Sequence, residues 1–207
     1  DASLGLTRSL AACFCDGRDQ RFVEHSLPEL LAQRIHGLAL GYEDLNDHDQ
    51  LRRDPVFATA CGKSDPLGQN RNDPADHGCP LSSASTLNRL ELSNNQTTRA
   101  HKLPHDPAKV AACLLTLGVR CLPKHTKEVV LDVDSMGHLL HGMQKGRHYN
   151  DYYGDYCYLP LYLVVGDVVL WAQLRTSDKG GADGVVPALT QVVAAIRQRC
   201  KKARIIL

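Results

Sequence analysis

The chain has 207 residues, with 24 Lys and Arg against 23 Asp and Glu and a formal net charge of +1. That length allows one large domain or two modest ones, each with its own core, and the near-neutral balance excludes a global electrostatic footprint for nucleic acid, so any DNA contact must come from local patches. The longest apolar run, Leu159 to Leu174, is broken by Gly166 and Asp167 and falls short of the roughly 18 to 20 residues that span a bilayer, which predicts no membrane association.

In chain order, the first stretch, from Ser3 to about Arg53, is helical. Leu27, Leu30, Leu31, Ile35 and Leu38 recur at helical intervals, and Ser26, Pro28 and Glu29 open that helix as an N-cap, a first-turn proline and a capping-box acid. This helix is predicted to end near Gly41, with short helices to follow over Asp44 to Arg53 and Pro55 to Ala60. Between Gly62 and Ser83 the Gly, Pro, Asn, Asp and Ser content predicts a flexible, exposed loop over 62–83. Ser85 to Leu92 resumes a helix, and Pro107 to Leu117 supplies another, closed by Gly118 as its C-cap.

At Glu128 the pattern changes. Val129-Val130-Leu131-Asp132-Val133-Asp134 reads as a strand, Tyr156 to Val165 and Val168 to Leu174 as a hairpin turning at Gly166-Asp167, Ala182 to Cys200 as a helix and Ala203 to Leu207 as a further strand. The expected fold class is therefore α+β or α/β. A mostly helical region, 1–127, is followed by 128–207, whose three antiparallel strands, crossover helix and further strand are the opening of a ribonuclease-H-like fold.

The eight cysteines show no Cys-x-x-Cys pair or repeated spacing, and no leader segment is evident, which predicts reduced thiols in a cytoplasmic setting. The chain begins at Asp1 without an initiator Met and stops on an apolar run, so both ends read as cut. No Walker loop, dinucleotide fingerprint or Gly-x-Ser-x-Gly elbow is present.

Asp132 and Asp134 lie two apart in a predicted strand, so both side chains point to one face near its C-terminal end. Paired carboxylates there either anchor a divalent cation for phosphoryl transfer or simply face solvent. Arg197, Arg199, Lys201 and Lys202, with Arg204, cluster at the end of the last helix, where they complement its dipole or contact DNA phosphates. Six of the seven tyrosines fall between Tyr149 and Tyr162. Of these, Tyr156, Tyr158 and Tyr162 have the even spacing of one strand face, which serves sheet packing or base stacking. The pairs His101 with His105 and His138 with His141 lack a third ligand at a metal-site spacing and read as surface residues.

Several blocks together resemble a known family. They are Leu4 to Thr7 with Leu10 to Cys13, Val23-Glu24-His25-Ser26, Leu38 to Asp49 with its Gly-Tyr-Glu-Asp-Leu-Asn-Asp-His-Asp run, and Ser85 to Glu91. The later ones are Leu131 to Asp134, then His141-Gly142 and Gln144, and Tyr156 to Tyr162. From residue 4 to about 184 the chain is similar to the DDE transposases of bacterial insertion sequences, in the group numbered thirteen-eighty. The chain departs from that pattern after the small residue Ser135, with Met136-Gly137-His138 where the family carries a threonine and further acids, and at Ser83-Ala84, where it carries Gly-Lys.

The resemblance implies a ribonuclease-H-like catalytic domain in which two aspartates and a glutamate bind Mg2+ and cut and join transposon ends. Its partner is double-stranded DNA at those ends, a homo-oligomer is allowed, and its place is cytoplasmic and nucleoid-associated. Asp134 matches the first aspartate, with Asp132 as second choice. The second aspartate belongs just after the strand begun at Arg204 and the glutamate well beyond it, so this chain alone is expected to be inactive. A noncatalytic DNA-binding or transposase-binding fragment, and an inert remnant of a decayed element, are the alternatives.

Overall fold

The computed structural model describes residues 1, 3–92 and 102–207; of the paired histidines singled out above, His101 lies outside them. The chain forms two compact units, Asp1–Val110 and Ala111–Leu207.

In the first unit, helices α1 (Leu6–Ala11), α2 (Leu27–Ala39), α3 (His48–Leu51), α4 (Pro55–Ala60) and α5 (Ala84–Glu91) are accompanied by short 3-10 turns. The capping box that opens α2 forms as expected: Ser26 Oγ accepts from the Glu29 backbone N–H at 3.4 Å, and Glu29 Oε2 accepts from the Ser26 N–H at 2.7 Å. The α2 stripe Leu27, Leu30 and Leu31 packs with Leu87 and Leu90 of α5 and with Leu103. A second cluster gathers Ala32, Phe57, Ala58, Cys61 and Leu81.

The Gly41 to Asp49 run proves to be largely structural. Asp44 caps the 3-10 turn Leu45–Asp47 through the Asn46 N–H, and Asp49 Oδ1 accepts from the Ala84 N–H at the first turn of α5, 2.9 Å away. His48 is fully buried and lies so close to Gly37 of α2 that a Cβ there would come within 2.7 Å of its ring. Its Nδ1 is 3.2 Å from Gln33 Nε2, and Gln33 in turn holds Ser82 through both its backbone N–H and its hydroxyl.

Residues 62–83 are irregular, as expected, apart from one 3-10 turn at Pro74–Asp76. They are not an exposed loop throughout: Cys79, Leu81 and Ser82 are core residues. A charge network fixes this course. Arg71 reaches Glu24 at 2.9 Å, Asp76 at 3.2 Å, the Cys79 carbonyl at 2.8 Å and His25 Nε2 at 2.9 Å. Arg52 pairs with Asp76 at 2.5 Å and Lys63 with Glu29 at 3.1 Å. Each cation meets a carboxylate, which is what burial of charge requires.

The change of structure expected at Glu128 is preceded by helix α6 (Pro107–Cys121), whose residues from Ala111 onward belong to the second unit. Gly118 does not end this helix. It lies inside it because a Cβ there would come within 2.6 Å of the Val169 carbonyl, so glycine permits close approach to the sheet.

The second unit is built on the run Glu128 to Ser135, which forms β1 (Glu128–Val130) and β2 (Asp132–Ser135) on either side of Leu131. β1 pairs in parallel with β8 (Arg204–Ile206), and the Leu131 N–H donates to the Ile206 carbonyl at 2.8 Å. β2 pairs antiparallel with β6 (Leu161–Val165), which forms a hairpin with β7 (Val168–Gln173) through Gly166, φ 56°, and Asp167. Between Leu163, opposite Trp171, and Val164, opposite Val169, Leu170 is an extra residue; this bulge lets Leu170 and Trp171 both reach the core. The core is completed by Leu161, Leu163, Leu115 and Val119 of α6, and Ala188, Val192 and Ile196 of α7 (Val185–Arg199).

Two short strands, β3 (His138–Leu139) and β4 (His148–Asn150), have no counterpart in the sequence pattern; they flank β5 (Asp155–Tyr158) in the antiparallel order β3-β5-β4. The single strand expected from Tyr156 to Val165 is therefore two. It divides at Leu159-Pro160, because proline has no N–H to continue a ladder, and the halves pair with different neighbours.

Candidate active-site face

Asp132 and Asp134 are both exposed and stand opposite Val164 and Tyr162 of β6. Directly opposed residues share a sheet face, so the two carboxylates lie on the face opposite that of the buried Leu161 and Leu163, as their spacing predicts. Asp134 Oδ1 accepts from the Ser135 N–H at 2.8 Å.

The strand end that carries Asp134 is fixed from the next residue. Ser135 Oγ donates to the Gly181 carbonyl at 3.1 Å and accepts from Arg175 Nη2 at 2.7 Å. Arg175 is buried, and its Nε donates to the Leu159 carbonyl at 2.9 Å while Nη1 reaches the Asp183 carbonyl. Among the described residues no carboxylate side chain pairs with it; its guanidinium charge is spread over backbone carbonyls and one hydroxyl. Sequence reasoning misses Arg175, since an arginine two residues past a strand has no periodic signature and several of its partners are distant along the chain. Arg175→Met, which keeps the bulk and removes the donors, is expected to lower unfolding stability by about 3 kcal/mol, the scale of lost charge-assisted hydrogen bonds. Arg175→Lys recovers little of it, because an ammonium cannot reproduce the planar fork. Urea titration measures this, and unchanged midpoints for both variants would refute the clamp.

The basic cluster divides. Arg199 donates from Nε to the Leu122 carbonyl at 2.8 Å and from Nη2 to the Arg120 carbonyl at 2.7 Å, and Arg197 reaches the Ala203 carbonyl, so the arginines tie α7 to the end of α6 and to the start of β8. Lys201 and Lys202 are exposed in the turn between α7 and β8.

His138 lies opposite Tyr158, and its Nε2 is 3.5 Å from the Tyr162 hydroxyl, which brings it beside the Asp134 face. Among the described residues no three His, Cys, Asp or Glu side chains gather as a metal-binding group. Asp134 and Asp132 present two carboxylates on one face of the same strand. A two-cation centre needs further oxygen ligands, so these residues do not hold one by themselves, and no chemical step through a cation follows from them. Cys13, Cys15, Cys61, Cys79, Cys121, Cys157 and Cys200 are not in disulfides, and among the described residues no helix is long and apolar enough to cross a membrane.

The geometry defines a mixed helix-and-sheet protein with an acidic strand end on an exposed sheet face. The chain belongs to the family described as Transposase DDE domain group 1, whose family model matches residues 1–207. Membership places it among transposases, which act on DNA and generally use divalent metal ions. No curated protein and no solved structure matches it.

Proposed function

We propose that the chain is part of a bacterial insertion-sequence transposase, in which residues from Glu128 onward open a ribonuclease-H-like catalytic domain and the preceding helical region serves DNA binding or assembly. The observation that carries this reading is the run Glu128 to Ser135, whose first part, β1, pairs in parallel with β8 and whose second part, β2, is the edge of the antiparallel sheet β2-β6-β7, with Asp134 exposed on it. In this reading Asp134 is the first catalytic acid and a ligand of Mg2+, Asp132 is the second choice, and Lys201 and Lys202 contact phosphates of double-stranded DNA at the transposon ends. The protein works in the cytoplasm at the nucleoid, and a homo-oligomer is compatible with it.

The purified chain is expected to retard duplexes drawn from the DNA flanking its own gene and to leave them uncut in Mg2+ or Mn2+, because one acid does not assemble a two-metal site. Replacing Lys201 and Lys202 together by Ala is expected to flatten the dependence of log affinity on log salt by roughly 2, about one for each phosphate contact. Chelator-sensitive cleavage that disappears in Asp134→Ala would show the chain to be active alone. Absence of any DNA retardation would remove the binding role.

A further inference from the structure

Next to Tyr162 on the Asp134 face stands a separate three-stranded sheet, β3-β5-β4. The Tyr162 hydroxyl lies beside His138, His138 pairs across the ladder with Tyr158, and Tyr156 follows two residues back on β5, on the same face. Tyr156 pairs with Tyr149 of β4, their ring centroids 5.6 Å apart and nearly perpendicular. Arg147 lies over the Tyr156 ring, its guanidinium carbon 4.4 Å from the centroid. Tyr152 and Tyr153 form a second edge-to-face pair in the turn after β4, and Tyr153 covers Gly137, where a Cβ would come within 2.6 Å of the ring.

These rings are not buried as a core would bury them. Tyr149 is 55 % exposed, Tyr156 40 % and Tyr152 88 %, whereas Cys157, which alternates to the opposite side of β5, is fully buried. Cys157 therefore packs inward, while Tyr149, Tyr152 and Tyr156 stay open to solvent. Charge follows the same division. Asp155 alternates to the Cys157 side of β5, while Arg147, just before β4, stands over the tyrosine face.

We propose that this face is a stacking platform for an unpaired DNA strand, leading away from the Asp134 end of β2. The inference rests on the transposase reading and adds to it the form of DNA that this surface takes. Each base of an unpaired strand offers a π-face to an exposed ring, and an adjacent guanidinium attracts the backbone; a duplex keeps those faces stacked inside and presents only edges. Arg147 is already held over Tyr156, with Nη1 donating to the Gly142 carbonyl at 2.6 Å, so little freedom is lost when a nucleotide arrives.

Fluorescence anisotropy of the whole chain with a labelled oligodeoxythymidine of about 20 nucleotides, longer than the typical single-strand site, and with a blunt duplex of equal length at the same salt, tests this. The unsubstituted chain is expected to prefer the single strand. Tyr149→Ala with Tyr156→Ala is expected to weaken single-strand binding about tenfold or more, as loss of base stacking does, and duplex binding less than about twofold. Tyr149→Phe with Tyr156→Phe keeps the rings and is expected to retain binding; Arg147→Ala is expected to weaken it severalfold. No single-strand preference in the unsubstituted chain overturns the proposal whatever the variants do, as does an equal loss with the alanine and phenylalanine pairs. Binding of gene-flanking duplex without single-strand binding rejects the platform and leaves the transposase reading in place, whereas binding of neither rejects both.

Discussion

Asp134→Ala, made in a transposition-competent family member into which residues 128–207 have been grafted, is expected to lower strand transfer by at least about a thousandfold, at or above the upper end of what removing one electrostatic stabiliser of a transition state costs. Asp132→Ala is expected to lower it far less. Both carboxylates share a face, but Asp132 lies two residues farther from the strand's C-terminal end, roughly 6 to 7 Å along the sheet. Asp134 stands next to the Ser135 clamp and opposite Tyr162, so its backbone is held on both sides. A strand-transfer assay decides between them. Activity lost with Asp132→Ala and kept with Asp134→Ala would reverse the assignment, and loss with both would indicate a shared site.

The second large effect is on stability in mild acid. Burial, and then the neighbouring cations Lys63 and Arg71, push the His25 pKa down to about 3 from its ordinary 6.5. Burial also lowers that of His48. Between pH 6.5 and 3 the unfolded chain therefore binds a proton at position 25 that the native chain refuses, and the species with more bound protons gains as pH falls. Native stability is fully present above about pH 6.5 and is lost as pH drops, by about 1.4 kcal/mol per unit from His25, or roughly 3 kcal/mol between about pH 7 and 4.5. His48 contributes with the same sign. The depressed carboxylates of Glu29 and Asp76 add their own loss only at lower pH. Urea midpoints at about pH 7, 6 and 5 measure the slope. His25→Asn is expected to start less stable in neutral solution and to show a shallower slope, and a flat profile for the unsubstituted chain would rule out a neutral buried His25.

The features legible in the sequence are those specified by neighbours along the chain. Ser26 and Glu29 are three apart and mark where α2 begins. Gly166-Asp167 between two β-branched runs marks the hairpin, and the alternation at Asp132 and Asp134 puts both acids on one face. What stays hidden depends on distant partners. Gly118 has the look of a C-cap until the Val169 carbonyl is placed against it. Cys79 to Ser82 have the composition of a loop, and become core only because Gln33 and Arg71 supply polar partners. At the candidate site the orientation of Asp134 is legible, but Arg175 is not, since its role arises when Leu159, Ser135, Gly181 and Asp183 converge on it. The division of the Tyr156 to Val165 run is a different case, because its signal is local: Pro160 interrupts the ladder, and it outweighs the apolar continuity that suggests one strand.

The parallel pairing of β1 with β8 has a consequence for the order in which the second unit is assembled. The β6–β7 hairpin closes over a two-residue turn and belongs to the microsecond class of events, whereas Glu128 and Arg204 approach the two limits of the unit and can meet only after the intervening chain has collapsed. During synthesis the β1 edge leaves the ribosome long before its mate and stays open until α7 has been made. Residues Glu128 to Leu131 thus offer an unpaired edge on which a chaperone, or a second nascent copy, has time to act.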